Sequence, residues 1–284
     1  MTTRPADVLP PVGTRHQTIR RAGLVLSLTT LLVTPTFVSG FLNADPAHAS
    51  QQTAATPAGT PIATPGSDAD TRCSVVLGIG DEGDACVAFV NAVLLGDTVD
   101  FTVPDAADTT ATGVGAGEYV DFVAVPAGDE SAVEVTDTAA PDVVIADAAL
   151  DLAPDIAYVI VLEQVYDEST PTLTAVPFDL APLGTDEARV AFHHAVSDAD
   201  QLSVLGLDAP SDEGILPGET TDPIDLAGGD YEIDVVPGNA PDQTLATLNV
   251  QLEADISYLV IMGGSTGDQT VTVIYAAAPV ATRP

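Results

Sequence analysis

Short apolar stretches rich in Val, Ile, Tyr, Phe and Thr follow one another from residue 72 onward, separated by Gly, Pro and Asp. Within residues 244–252, positions 246, 248, 250 and 252 are apolar, whereas positions 247, 249 and 251 are polar. This alternation predicts a half-buried strand, because successive side chains of a strand point to opposite faces. We find no amphipathic helix of convincing length, and turn residues recurring about every 8 to 12 positions favour an all-β sandwich.

The same pattern predicts seven strands in each half of the chain. In the first half we expect strands over 87–95, 98–103, 119–125, 132–135, 143–152, 156–165 and 172–176. In the second half we expect them over 189–196, 201–206, 223–226, 231–236, 244–252, 256–262 and 270–276.

The second half of the chain repeats the first. Ala140-Pro141-Asp142 returns as Ala240-Pro241-Asp242, an offset of 100 residues. Upstream the offset drifts to 103, since Val87-Ala88-Phe89 matches Val190-Ala191-Phe192, which indicates changes in loop length. The sequence therefore predicts two copies of one domain of ordinary size, repeat 1 over 72–184 and repeat 2 over 185–280.

Residues 1–49 are typical of an export signal. Arg20-Arg21 precede an apolar run over 24–38, and Ala47-His48-Ala49 forms a small-residue cleavage site. We predict cleavage between Ala49 and Ser50, by either the twin-arginine or the general secretory route. The apolar run is interrupted by Ser, Thr and Pro and falls short of the roughly 20 apolar residues of a membrane helix, so an uncleaved anchor is the weaker alternative. We expect a secreted or cell-surface protein with no stable membrane span in its mature form.

Residues 50–71 are rich in Thr, Ala, Pro and Gly and lack the apolar side chains that offset the entropy of ordering. The prolines favour extended conformations. This composition predicts a disordered linker that holds the folded part away from a cell surface.

The chain contains two cysteines, Cys73 and Cys86, both beyond the predicted cleavage point. An even count in an oxidising compartment favours one disulfide, which would contribute about 3 kcal/mol through loop closure. The alternative is a pair of free thiols with a metal or redox role, although the spacing is far from Cys-x-x-Cys.

The charge is strongly negative, with 42 acidic and 7 basic residues and a net charge of −35. Without residues 1–49, 40 acidic residues face Arg72, Arg189 and Arg283, and no lysine is present. Such a surface repels phosphate backbones, so nucleic acid is excluded as a partner. A solvated surface that keeps a secreted protein soluble explains the acidity, with salt adaptation or weak Ca²⁺ binding as alternatives.

Short motifs of both copies resemble the domain-of-unknown-function 4397 family. The second copy carries Arg189-Val190-Ala191-Phe192-His193-His194-Ala195 and later Leu226-Ala227-Gly228-Gly229-Asp230-Tyr231. The first copy matches more loosely at residues 87–92 and 125–128, and both copies depart from the family's Ser-Pro-Asp-Ala-Pro loop. The resemblance implies tandem extracellular domains without established catalysis. We therefore expect two tandem Ig-like or prealbumin-like antiparallel β-sandwich domains after the signal peptide and linker.

Gly78-Ile79-Gly80-Asp81-Glu82-Gly83 matches the spacing of a dinucleotide-binding loop. However, Asp81 and Glu82 would repel a pyrophosphate, and the segment after the loop is predicted to be a strand rather than a helix. A loop closed by Cys73 and Cys86 is the better interpretation, and we expect no cofactor.

Two further patterns bear on chemistry. His193 and His194 are adjacent on a predicted strand and point to opposite faces, so we expect one to face the core and the other to be exposed. No nucleophile elbow is present, and we expect no enzyme. Asp81, Glu82 and Asp84, and separately Asp198 and Asp200, could supply oxygen ligands to calcium but match no known calcium motif. We assign no catalytic, cofactor or metal residues.

The sequence thus predicts a secreted or cell-surface structural or binding module with an unidentified protein or glycan ligand at the cell envelope. The alternative is a polysaccharide-binding or calcium-dependent adhesive module, which requires exposed aromatic side chains. Its candidates are Tyr119, Tyr166, Tyr231 and Tyr275. Tyrosine on a strand is more often half buried than part of a binding surface.

Overall fold

The computed structural model describes residues 70–93, 98–104, 106, 110–164, 170–207, 214–267 and 270–282. These residues form fifteen strands and one short helix, so the predicted all-β fold is confirmed. The cleavage site at Ala49 and Ser50, the signal and most of the linker lie outside the described residues.

The first copy begins with helix α1, Cys73–Leu77, which ends at Gly78 in the left-handed conformation. Its strands are β1 Asp84–Asn91, β2 Val99–Thr102, β3 Thr110–Val114, β4 Tyr119–Pro126, β5 Gly128–Asp137, β6 Ala140–Leu152, β7 Ala157–Glu163 and β8 Thr172–Phe178.

The second copy contains seven strands among the described residues. They are β9 Glu187–Val196, β10 Leu202–Leu205, β11 Ile224–Ala227, β12 Gly229–Pro237, β13 Ala246–Leu252, β14 Ile256–Gly264 and β15 Thr272–Pro279. The predicted boundary between 184 and 185 lies in the segment that joins β8 to β9.

Each copy is a sandwich of two sheets, and the sheet orders show the duplication. The first copy has sheets β4-β1-β7-β8 and β3-β2-β5-β6, and the second has β11-β9-β14-β15 and β10-β12-β13. Within these orders, β1 and β7 are parallel, as are β9 and β14, whereas the other pairs are antiparallel. The predicted antiparallel sandwich therefore carries one parallel pair in each copy.

The two copies pack against each other through the sheets that contain the parallel pairs. One apolar core lies inside each sandwich. A third core lies between the sandwiches and joins Val90 and Val161 of the first copy to Leu259 and Ile261 of the second. The result is a stack of four sheets, in which both faces of each inner sheet are covered. All seven residues of β7 are consequently buried.

A corner before β7 and β14 recurs in both copies. Asp155 and Asp255 adopt positive φ values of 63° and 61°, which turn the chain into the next strand. Just after this turn, the Tyr158 hydroxyl accepts a hydrogen bond from Ala153 N at 3.1 Å. In the second copy the Tyr258 hydroxyl accepts one from Glu253 N at 3.0 Å. The bond anchors the Tyr258 phenol beside the edge of the second sandwich.

Candidate functional site

A groove opens at the side of the second sandwich, between edge strands β13 and β15, with a volume of about 420 Å³. This volume falls within the range of about 300 to 1,000 Å³ typical of small-molecule sites. We call it the tyrosine groove. It is lined by Asn249, Val250, Gln251, Glu253, Ile256, Tyr258, Tyr275, Ala277, Ala278 and Pro279.

Tyr275 is the exposed aromatic of the groove, with 46% of its surface accessible. It lies on β15, and its ring centroid is 6.5 Å from that of Tyr258, which is only 7% exposed. The ring planes are inclined at 58°. Since the Tyr258 hydroxyl is bonded to Glu253 N, one anchored ring supports one ring that is free to meet a ligand.

Tyr119 is 39% exposed and lies on β4 of the first copy, a strand that contacts β15. Burial is the largest cause that raises the pKa of Tyr119, followed by the Asp121 carboxylate and with a smaller effect from Tyr275. Burial likewise raises the pKa of Tyr258. The hydrogen bond from Glu253 N lowers this pKa, but by less than burial raises it. Both phenols are therefore neutral at physiological pH.

The opposite wall of the groove is the edge strand β13. It pairs with β12 on one side and has no strand partner on the other among the described strands. Edge strands expose backbone donors and acceptors. The side chains of Asn249, Gln251 and Glu253 are also exposed along this edge. The β13 wall of the groove is therefore polar, whereas the β15 wall carries the aromatic ring of Tyr275.

A buried polar network crosses the contact between the copies. Glu163 Oε2 lies 2.9 Å from His193 Nε2, and both side chains are fully buried. Thr174 donates a hydrogen bond to Glu163 Oε1 at 2.5 Å, and Thr220 Oγ1 lies 2.8 Å from His193 Nδ1. Every polar atom of the two ionisable groups thus has a partner, as buried polar groups require.

The expectation that one of the two histidines is exposed is wrong, because both are fully buried. They do point to opposite faces, but the face that a single sandwich would leave in water is covered here by the other copy. Val196 N donates to His194 Nδ1 at 3.2 Å, inside the second sandwich. Burial, and to a smaller extent His193, lowers the pKa of His194 to about 4. The two rings share no site.

Cys73 and Cys86 form the predicted disulfide, with a Cα–Cα distance of 6.0 Å. The glycine-rich loop between them leads into strand β1, as the sequence predicts. Among the described residues, no group of three His, Cys, Asp or Glu side chains is arranged to hold a metal ion. Asp198 instead accepts hydrogen bonds from Thr266 N, Gly267 N and the Ser265 hydroxyl.

Of the predicted tyrosines, Tyr275 and Tyr119 are exposed near the groove. Tyr231 is half buried and donates to Ala227 O at 2.7 Å, and Tyr166 lies outside the described residues. Sequence reasoning did not single out Tyr258 or Glu253. The repeat of Tyr158 as Tyr258 was the available signal, since both copies use this residue at the same corner.

No helix among the described residues is long and apolar enough to cross a membrane. A scan of protein-family models finds no match, and a comparison with curated proteins finds none. Solved structures give faint likenesses to proteins with inferred cell adhesion roles. One from Bacteroides ovatus has a TM-score of 0.21 and 10% identity, covering 72% of this chain and 100% of its own. One from Bacteroides uniformis has a TM-score of 0.20 and 12% identity, covering 70% and 99%. TM-scores this small define no shared fold, so function is argued from the site.

Proposed function

We propose that this chain is a non-catalytic binding module of the cell envelope and that its ligand is a glycan bound in the tyrosine groove. The observation that carries the proposal is the exposed ring of Tyr275 beside the polar edge of β13. The predicted export signal and linker support display outside the cell.

A sugar ring presents C–H groups on its faces and hydroxyls around its rim. A half-exposed tyrosine supplies an apolar platform for the face, with little entropy lost because the side chain has few rotatable bonds. Exposed amides at Asn249 and Gln251 and the backbone edge of β13 offer donors and acceptors for the rim. The groove therefore combines the two kinds of contact that sugars need.

A non-catalytic role is supported by the state of the ionisable groups. His193, which has a carboxylate and a hydroxyl beside its ring, lies in the contact between the copies. Both of its ring nitrogens are engaged there. The lining of the groove contains one carboxylate side chain, Glu253, rather than the pair used for glycoside hydrolysis.

The test is binding of the intact protein to an array of oligosaccharides, followed by calorimetry on those retained. Tyr275→Ala should weaken binding about two- to tenfold, since aromatic contacts are worth roughly 0.5 to 1.5 kcal/mol beyond area burial. Tyr275→Phe should retain most of the affinity. Leu205→Ala is the matched control, because Leu205 is 44% exposed on β10, which lies at the edge of its sheet opposite the groove strand β13.

Retention of no glycan, or equal affinity of the Tyr275→Ala variant and the parent, would refute the groove as a glycan site. Capture of an extended peptide that competes at Tyr275 would instead assign the β13 edge to strand addition. Repeating the measurement with calcium and with a chelator tests the calcium-dependent alternative.

A further inference from the structure

The charge around the tyrosine groove is negative on both sides. Glu253 is exposed and lines the groove, and its carboxylate raises the pKa of the Tyr258 phenol through its charge, a smaller effect than burial. Across the edge, the Asp121 carboxylate raises the pKa of the Tyr119 phenol, a smaller effect than burial. A ligand seated against Tyr275 therefore meets the Glu253 carboxylate in the groove, and Asp121 adds negative charge beside Tyr119 of the first copy.

The arginines of the described residues cannot offset this charge, because each is already engaged. Arg72 pairs with Asp70 at 2.6 Å and with Glu82 at 2.8 Å.

Arg189 is largely buried and pairs with Asp179 at 2.9 Å and with Asp225 at 2.8 Å. Its remaining NH1 donor reaches Ala181 O. Arg283 lies outside the described residues, and the chain contains no lysine. No described arginine is thus left to hold a uronate or a sulfate.

We propose that the tyrosine groove selects a cationic glycan, one that carries free amino groups, and that Glu253 supplies the opposing charge. The proposal rests on the glycan-binding function above and adds the class of sugar. An ammonium group on the sugar meets the Glu253 carboxylate and lies against the negative face of the Tyr275 ring, which attracts cations. The net charge of −35 adds a long-range attraction for the same ligand and a repulsion for anionic ones.

The exposure of Glu253 limits how much its charge can add to the affinity for a cationic sugar. Glu253 is exposed, so its ion pair with an ammonium group is screened by water and is worth no more than a factor of about five in affinity. The preference for a cationic over an anionic sugar is larger, because attraction and repulsion both contribute. The ion pair and the preference for a cationic sugar both weaken as salt is added, because the screening length of exposed charges falls to about 10 Å at 0.1 M salt.

The experiment compares three oligosaccharides of equal length by calorimetry with the intact protein, at low and at moderate salt. They are an oligomer of glucosamine, its N-acetylated counterpart and an oligomer of galacturonic acid, at a mildly acidic pH where the amines are charged. We expect the glucosamine oligomer to bind tightest, the N-acetylated one more weakly and the galacturonate not at all. Added salt should weaken only the first.

Glu253→Gln should reduce the affinity for the glucosamine oligomer up to about fivefold and leave the N-acetylated oligomer unchanged. Glu232→Gln is the matched control, since Glu232 is exposed on β12 of the same sheet and its loss changes the net charge equally. An equal effect of the two variants would overturn the role of Glu253.

Galacturonate binding as tight as that of glucosamine would overturn the charge preference while leaving the glycan function intact. Failure of all three oligomers, together with an empty oligosaccharide array, would overturn both proposals. Glucosamine binding of equal affinity in Tyr275→Ala and the parent would show adsorption to the acidic surface and would also overturn the assignment to the groove.

Discussion

Removal of the Glu163 carboxylate is expected to destabilise the contact between the two copies. Glu163→Ala leaves the fully buried His193 Nε2 without its partner, and the half-buried Thr174 hydroxyl loses its acceptor. A polar group left without its partner costs about 1 to 3 kcal/mol, with the half-buried hydroxyl at the low end, so the two together cost about 2 to 4 kcal/mol. For a folded unit of this size we expect the melting temperature to fall by roughly 10 °C.

A matched double variant separates the pair from its surroundings. In the first copy the position equivalent to His193 is Val90, which is buried in the same core without a polar partner. Glu163→Leu combined with His193→Val should therefore regain most of the lost stability, because apolar residues can replace a buried pair at little cost. Glu163→Gln should fall between the parent and Glu163→Ala, since the amide keeps the shape and can still accept from Thr174.

Equilibrium unfolding in urea, followed by circular dichroism because the chain has no tryptophan, measures these differences. A Glu163→Ala variant within about 1 kcal/mol of the parent would refute the reasoning, since exposed pairs have values of that size. A double variant as unstable as Glu163→Ala would show that the loss does not come from the unpaired His193 ring, which only the double variant removes.

Two further outcomes are expected. Burial lowers the pKa of His194 to about 4 in the folded protein, below its ordinary 6.5, so the neutral ring is favoured on folding. Its contribution to stability is present above pH 6.5 and is lost as the pH falls toward 4, by up to about 3 kcal/mol. His194→Asn, the residue at the equivalent position 91, should flatten this part of the pH profile of urea unfolding, and an unchanged profile would contradict the assignment. Gly206 has a φ of 95° and a Cβ there would lie 2.1 Å from Glu232 O, so Gly206→Ala should cost at least about 2 kcal/mol by the same unfolding measurement. Gly229→Ala is the control, since its Cβ would meet only the Tyr231 ring at 3.9 Å, and equal losses in the two variants would contradict the steric argument.

The strands were predictable because their signals are local. Strand β14 runs over Ile256–Gly264, against a prediction of 256–262, and β9 runs over Glu187–Val196, against 189–196. Strand β3, Thr110–Val114, was missed, since its Thr, Ala and Gly residues carry no apolar alternation. The alternation of polar and apolar residues in a strand shows which of its faces are covered but not which strand lies beside it. The parallel pairs β1–β7 and β9–β14 could therefore not be predicted from the sequence.

The burial of both histidines was missed for a related reason. Alternation distinguishes an inner face from an outer one only when one face meets water. Strand β9 has one face in its own sandwich and the other against the first copy, so Phe192 and His193 are both buried. For the groove, the sequence offered Tyr275 as one of four candidates for exposed aromatic surface, whereas Tyr258 lies in an apolar run that indicates core. Its place beside Tyr275 depends on the corner at Asp255.

The apolar face shared by the two copies has a consequence for the origin of the chain. A single ancestral copy with that face would have needed a second molecule to cover it, as in a symmetric homodimer. Joining two genes end to end makes such a pairing independent of concentration. It also lets the halves diverge, because a substitution in one copy no longer appears at the equivalent position of the other. In the contact between the copies, Glu163 of the first copy lies against His193 of the second, whereas the equivalent residues, Gly263 and Val90, are not polar. Tyr119 and Tyr275 likewise lie on one side of the molecule.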